Sequence, residues 1–357
     1  MTTHPGGDPS HSGGDPSVAA VSVKFPRHRY SQEEAVAALT QFAGPQFRRF
    51  AASTGVRSRH TALALERYSQ LSGFTEANDA FVEVALDLAE QALLEALEKC
   101  GLDPSDVDVV FSTTVTGLAV PTLEARLAGR VGLRQDVKRV PLFGLGCVAG
   151  AAGIARMHDY LCAFPNQVGV LLAVELCSLT IQREDSSVAN LVASSLFGDG
   201  AAAVIGIGAA RAASGPKVLA TRSRLYPDTE DVMGWNIGSD GFRIVLSADV
   251  ATVAEKYLGE DVRNFLADHR LTPDDVSTWV CHPGGPRVIE AVESTLGLSP
   301  HALDCTRKSL HDNGNLSSVS VLDVLAANIV APPPPGSIGL MVAMGPAFCS
   351  ELVLLEW

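Results

Sequence analysis

Three residues of this chain offer a nucleophile, a proton carrier and an amide donor, and each sits in a glycine-bearing turn. They are Cys147 in Gly144-Leu145-Gly146-Cys147, His282 in Cys281-His282-Pro283-Gly284-Gly285-Pro286, and Asn315 in Gly314-Asn315-Leu316-Ser317-Ser318. A free thiol with a pKa of about 8.5 is only slightly ionised at neutral pH, so a nucleophilic cysteine needs help from a helix N-terminus or an imidazolium. The small residues from Val148 to Leu161 predict such a helix, with its dipole aimed at the sulfur. A histidine followed by prolines at 283 and 286 has a restrained backbone, so it could pair with a thiolate and then donate to a carbonyl oxygen. Taken singly, each residue has a plainer reading: a buried cysteine, a loop histidine, a helix N-cap. Taken together they describe one active site.

The grouping gains weight from an internal repeat. Leu102-Asp103-Pro104-Ser105-Asp106-Val107 returns as Leu271-Thr272-Pro273-Asp274-Asp275-Val276, and Val131-Gly132-Leu133 returns as Leu296-Gly297-Leu298. The offset drifts by a few residues between these matches, and within that drift Gly146-Cys147 falls opposite Gly314-Asn315. A duplication of this kind predicts two similar α/β units facing one another, with their turns converging. The spacing predicts helices over 78–101, 121–130, 148–161, 251–270, 286–296 and 316–330. Strands are expected at 107–111, 168–174, 278–281, 339–344 and 351–355, and a glycine turn runs into a strand at 197–204. The fold class that follows is a layered α/β/α/β/α arrangement of two duplicated halves. The domain reading is a disordered tail over 1–17, a first half over 18–210 carrying the cysteine, and a second over 211–357 carrying the histidine and asparagine.

At 357 residues, 46% hydrophobic and 19% charged, the chain can bury a large core. A net charge of −13 argues against nucleic acid as a main partner. The seven cysteines are scattered without a CxxC pair, which fits neither a disulfide framework nor a zinc site; reduced thiols and no metal are expected. The opening Gly/Pro/Ser/His-rich segment lacks a basic-then-apolar leader, and no apolar run reaches the ~18 residues needed to span a bilayer. A cytoplasmic enzyme without membrane insertion is expected.

The motifs GLGCVAGAAGIAR (144–156), HPGGPRVIEA (282–291), GNLSS (314–318) and FGDGAAAV (197–204) together resemble the type III polyketide synthases, the chalcone-synthase-like branch of the thiolase superfamily. The resemblance runs from about Val21 to Trp357. It implies a thiolase-like fold in which Cys147 takes an acyl group from coenzyme A. His282 would hold a thiolate–imidazolium pair, and with Asn315 it would stabilise the enolate formed when malonyl-CoA loses carbon dioxide. Coenzyme A thioesters are then substrates, and no cofactor is implied.

Phe197 resembles a gatekeeper between the coenzyme A tunnel and the pocket, though a core aromatic reads equally well. Thr116, Cys177, Thr180 and Ser317 align with cavity-lining positions. Trp235 and Ile244 stand where plant members carry glycine and phenylalanine, so the pocket wall is rebuilt and a flavonoid product is not expected. Arg57 and Arg59 resemble residues that hold the coenzyme A phosphates, with ordinary surface arginines as the alternative. Val120-Pro121 aligns with a cis peptide that reaches across a twofold homodimer. The wording VELCSLT (174–180) resembles actinobacterial members that join long fatty acyl starters to malonyl-CoA or methylmalonyl-CoA and release alkylpyrones. An alkylresorcinol, a polyhydroxylated naphthalene or another aromatic ring is the alternative product. A catalytically silent binding protein on the same fold is the remaining class.

Overall fold

A computed structural model describes residues 14–43 and 46–357. The first half runs β1 (Ser17–Lys24), β2 (His28–Ser31), α1 (Gln32–Ala43), α2 (Phe47–Ala52), β3 (Ser58–Thr61), α3 (Phe74–Cys100), β4 (Val109–Thr113), α4 (Leu123–Val131), β5 (Lys138–Leu142), α5 (Ala149–Ala163), β6 (Val168–Leu176), α6 (Val188–Leu196) and β7 (Asp199–Ile207). The second runs β8 (Lys217–Leu225), β9 (Met233–Gly238), β10 (Gly241–Leu246), α7 (Val250–Asp268), β11 (Val276–Cys281), α8 (Pro286–Leu296), α9 (Asp304–Asn313), α10 (Ser318–Val330), β12 (Ile338–Gly345) and β13 (Cys349–Glu356).

Nine strands follow the order β11-β12-β13-β8-β1-β7-β6-β4-β5. The two halves meet edge to edge at the β1–β8 seam, where Ser17 pairs with Lys217. Each half repeats one scheme. β4 and β6 run parallel with antiparallel β7 beside them; β11 and β12 run parallel with antiparallel β13 beside them. The duplicated Pro-containing segments both become short 3-10 turns closed by a capping box, Asp103 with Asp106 and Thr272 with Asp275.

Alternation along each strand builds the layers, because successive side chains leave opposite faces. In β6, Val168, Val170, Leu172 and Val174 pack toward α3, while Leu171 and Ala173 join the central cluster. In β13, Leu352 and Leu354 pack with Leu258, Val262 and Ile289 of α7 and α8, while Val353 and Leu355 point to the centre. The central cluster is made by α5, α10 and the turn before α5 (Val148, Ile154, Val319, Leu322), and the two helices lie against each other and against both halves of the nine-stranded sheet. The order is therefore α3 and α4, first half of the sheet, α5 and α10, second half of the sheet, α7 and α8: five layers, as the repeat predicts.

Helix α8 occupies the expected 286–296, and α3 begins at Phe74, four residues before the expected start. The expected tail is shorter than 1–17. Pro16 O accepts from Val218 N at 2.8 Å and Ser17 opens β1, so residues 16 and 17 belong to the fold; residues 1–13 lie outside the described residues. The β9–β10 hairpin was not predicted: Trp235 and Ile244 were read only as pocket residues, and they prove to be paired across it.

Candidate active site

Cys147 lies in a 3-10 turn, Gly146–Val148, that feeds directly into α5. Gly146 has φ +56°, and a Cβ there would sit 2.8 Å from the Pro346 ring. Only glycine fits both the left-handed backbone and the contact. The thiol is buried, and its Sγ lies 3.7 Å from Ser317 Oγ. Burial pushes the Cys147 thiol up to about 12; its hydrogen bond with Ser317 opposes this, and the charge of Glu175 adds to it.

His282 follows β11, its N–H donating to Val342 O at 2.9 Å. The ring is buried, Nδ1 has no hydrogen-bond partner, and burial pulls its pKa down to about 4. Burial thus favours a neutral thiol and a neutral imidazole, where the resemblance implies an ion pair.

Asn315 lies in the matched turn, after Gly314 at φ +74°. Its Oδ1 accepts from Ser317 N at 2.8 Å. Since only the oxygen can accept from an N–H, this bond fixes the carboxamide and presents Nδ2 as the donor. Nδ2 reaches Gly284 O only at 3.4 Å, a weak contact that leaves it able to donate elsewhere. Gly284 N donates to His282 O at 3.0 Å. An unbroken path of contacts therefore joins Cys147 through Ser317, Asn315 and Gly284 to His282.

Ser317 itself holds φ +51°, a conformation that is uncommon for a residue with a side chain. Its Oγ also meets Glu175 Oε1 at 3.4 Å. Glu175 is the functional-site residue that sequence reasoning missed. Fully buried at the end of β6, it accepts from Ser318 Oγ at 2.6 Å, Thr116 Oγ1 at 3.0 Å and Val115 N at 3.1 Å. Burial pushes its carboxyl up to about 7. The signal was available: Glu175 is the lone charge in an otherwise apolar strand, and a buried charge demands partners.

Phe197, Cys177, Thr180, Trp235 and Ile244 line one cavity of about 30 Å³, together with Tyr68 and Ser178. Thr116 lines a second, of about 510 Å³, with Gln182, Arg183, Asp185 and Asp240. Phe197 connects the first cavity to the trio, because its backbone bridges to Asn315. The two arginines separate. Arg57 is exposed, as a phosphate ligand must be. Arg59 is only 3% exposed, and its guanidinium donates to the backbone carbonyls of Ser194, Ser195 and Phe197. Those donors are spent inside the protein, so the expectation that Arg59 holds coenzyme A phosphates is corrected.

The N-terminal domain model of the chalcone and stilbene synthases matches residues 14–211, and the C-terminal domain model matches 217–356. The chain is 53% identical to a 1,3,6,8-tetrahydroxynaphthalene synthase of Streptomyces peucetius subsp. caesius, over 96% of this chain and 93% of that protein. It is 29% identical to a phloroglucinol synthase of Pseudomonas fluorescens, over 94% and 97%. Among solved structures, the 1,3,6,8-tetrahydroxynaphthalene synthase of Streptomyces coelicolor, a bacterial type III polyketide synthase, superposes with a TM-score of 0.91 at 30% identity, covering 96% of this chain and 99% of that one. With its duplicated α/β halves and its paired glycine turns, the chain belongs to the chalcone and stilbene synthase family and is a type III polyketide synthase, an acyltransferase that condenses malonyl-CoA iteratively.

Proposed function

We propose that this enzyme builds a polyhydroxylated aromatic ring from malonyl-CoA, with no long acyl starter. The observation that carries the reading is the cavity beside Phe197. At about 30 Å³ it has no room for a fatty tail; the growing ring is assigned to the neighbouring cavity of about 510 Å³, whose wall shares Leu39, Tyr68, Ser178 and Ile181 with it. Trp235 and Ile244 close it from one hairpin. The larger neighbouring cavity carries Arg183, Glu184, Asp185, Asp240 and Arg243 on its wall, so a methylene entering it gains little of the ~0.8 kcal/mol that apolar burial supplies. A short malonyl starter needs no such gain. The relatives named for tetrahydroxynaphthalene and phloroglucinol support the same reading, while the alkylpyrone expected from VELCSLT finds no support in this cavity.

In this reading Cys147 attacks the starter thioester and expels the coenzyme A thiol, while neutral His282 accepts the thiol proton. A second malonyl-CoA then loses carbon dioxide. The electron pair of the broken C–C bond moves to the thioester oxygen, where His282 and Asn315 Nδ2 donate to it. The enolate carbon attacks the acyl group on Cys147 and the sulfur leaves. Exposed Arg57 remains a candidate phosphate ligand for coenzyme A. A cytoplasmic homodimer is part of the proposal. Among the described residues no helix is long and apolar enough to cross a membrane, and Val120, beside the cis Val120-Pro121 bond, is 94% exposed and open to a partner.

The test incubates purified protein with malonyl-CoA alone and follows carbon dioxide release and product mass. An aromatic product without any other acyl-CoA is expected. A protein that is inert until lauroyl-CoA is added, and that then releases a pyrone, sinks the aromatic reading and restores the long-starter one.

A further inference from the structure

Arg59 is a cation taken out of water, on a short strand outside the main sheet, and both its Nη atoms are bonded within the protein while its Nε has no partner. What it holds explains its place. Nη1 donates to Ser194 O at 2.6 Å and Phe197 O at 3.0 Å; Nη2 donates to Ser195 O at 2.6 Å and to Gln32 Oε1. These three carbonyls belong to the last turn of α6 and the residue after it, where a helix leaves its carbonyls without partners. The planar fork of the guanidinium reaches all three oxygens at once.

The remaining carbonyl of that turn belongs to Asn315. Leu196 O accepts from Asn315 N at 2.9 Å, and Gly198 N donates to Asn315 O at 2.9 Å. The approach is so close that a Cβ on Gly314 would lie 2.8 Å from Leu196 O, and one on Gly198 would lie 2.3 Å from Asn313 O. The backbone of Asn315 therefore follows wherever the end of α6 goes. The strand that carries Arg59 also grips the other flank: Arg57 N donates to His311 O at 2.8 Å, and Ser58 Oγ donates to Asp312 O at 2.7 Å. Gln32 braces the arrangement, its Nε2 donating to Ser195 O at 2.8 Å. Asp199, just beyond Phe197 and fully buried, supplies the nearby opposite charge.

We infer that Arg59 is a positioning residue, which sets the place of the Asn315 carboxamide through the end of α6. This rests on the reading of Asn315 as a donor to the enolate oxygen. Loss of Arg59 should then damage decarboxylation and spare the thiol, because Cys147 is carried by the turn that feeds α5, and Ser317, which is bonded to Asn315, meets its sulfur only at 3.7 Å.

The experiment compares Arg59→Met, Arg59→Lys and Asn315→Ala in the full chain. It measures kcat and KM for malonyl-CoA decarboxylation, the rate of Cys147 alkylation by iodoacetamide read on its peptide, and the folded fraction by near-UV circular dichroism. Arg59→Met should lower decarboxylation kcat by roughly 10- to 100-fold, the scale at which small misplacements are felt. KM and the alkylation rate should stay within about twofold, since ground-state binding and the thiol are untouched. Arg59→Lys should recover part of the loss. The inference is overturned if decarboxylation persists in Arg59→Met while Asn315→Ala abolishes it, or if kcat and alkylation fall together with the folded fraction. Full decarboxylation by Asn315→Ala overturns the reading of Asn315 and the inference with it. Should Arg59→Met not fold, Arg59→Lys and Gln32→Ala carry the same readouts with the same two outcomes.

Discussion

At Cys147 the thiol loses water on every side and gains Ser317 Oγ as its polar neighbour, while Glu175 stands behind that serine. A cysteine in that setting is a nucleophile only when a base takes its proton, whereas enolate formation in the proposed reaction draws on His282 and Asn315. Cys147→Ala should therefore abolish condensation and leave carbon dioxide release from malonyl-CoA, measured with labelled malonyl-CoA. Loss of both together would contradict this division of labour. Glu175 gives a pH signature. Its carboxyl rises from 4.5 to about 7, so the folded state binds the extra proton, and the stabilisation is present below 4.5 and lost as pH rises through about 7. Asp199, raised by burial to about 7, acts in the same direction. His282, lowered to about 4, acts in the opposite one: its contribution is present above 6.5 and lost as pH falls through about 4. Glu175→Gln should thus flatten the fall in Tm between about pH 5 and about pH 7.5. An unchanged slope in thermal denaturation would show that Glu175 does not titrate there. The three principal residues were legible because chemistry and glycine spacing pointed the same way. Glu175 was not singled out, because nothing local says which serines and threonines will reach a buried carboxylate.

Among elements, the β9–β10 hairpin supplies Trp235 and Ile244 to the wall of the cavity beside Phe197. The two residues face each other across the hairpin, and the Trp235 indole meets Phe242 edge-on. Trp235→Gly removes the indole from the wall while the paired backbone remains. The variant should accept longer acyl-CoA starters, with ~0.8 kcal/mol available for each methylene that becomes buried. Competition assays across starter lengths check this, and an unaltered preference would place the size limit elsewhere. Helices such as α8 could be placed from their periodicity and bracketing proline and glycine. The hairpin could not, since its pairing depends on two strands whose pattern carries no strong alternation, and burial of Trp235 is set by neighbours distant in the chain. Arg59 shows the same limit from the other side. Its motif GVRSRH looks like a basic surface patch, and only the packed end of α6 reveals where the guanidinium points.

For the whole molecule, α5 and α10 are the shared core of two halves, and each helix covers the sheet of the other half as well as its own. A fragment ending at residue 211 would expose Val148, Ala151 and Ile154 to water, although its sheet order is complete. Such a fragment should bind a hydrophobic dye and lack a cooperative unfolding transition; cooperative unfolding in denaturant would show the halves to be independent. The sequence by itself determined the two-fold repeat and the layered class, and it nominated Cys147, His282 and Asn315, because periodicity, capping residues and reactive side chains are local properties. Tertiary structure alone decided that Arg59 faces inward, that Glu175 lies behind Ser317, and that the space beside Phe197 is about 30 Å³. Burial, and with it charge state and cavity size, belongs to contacts between segments far apart in the chain.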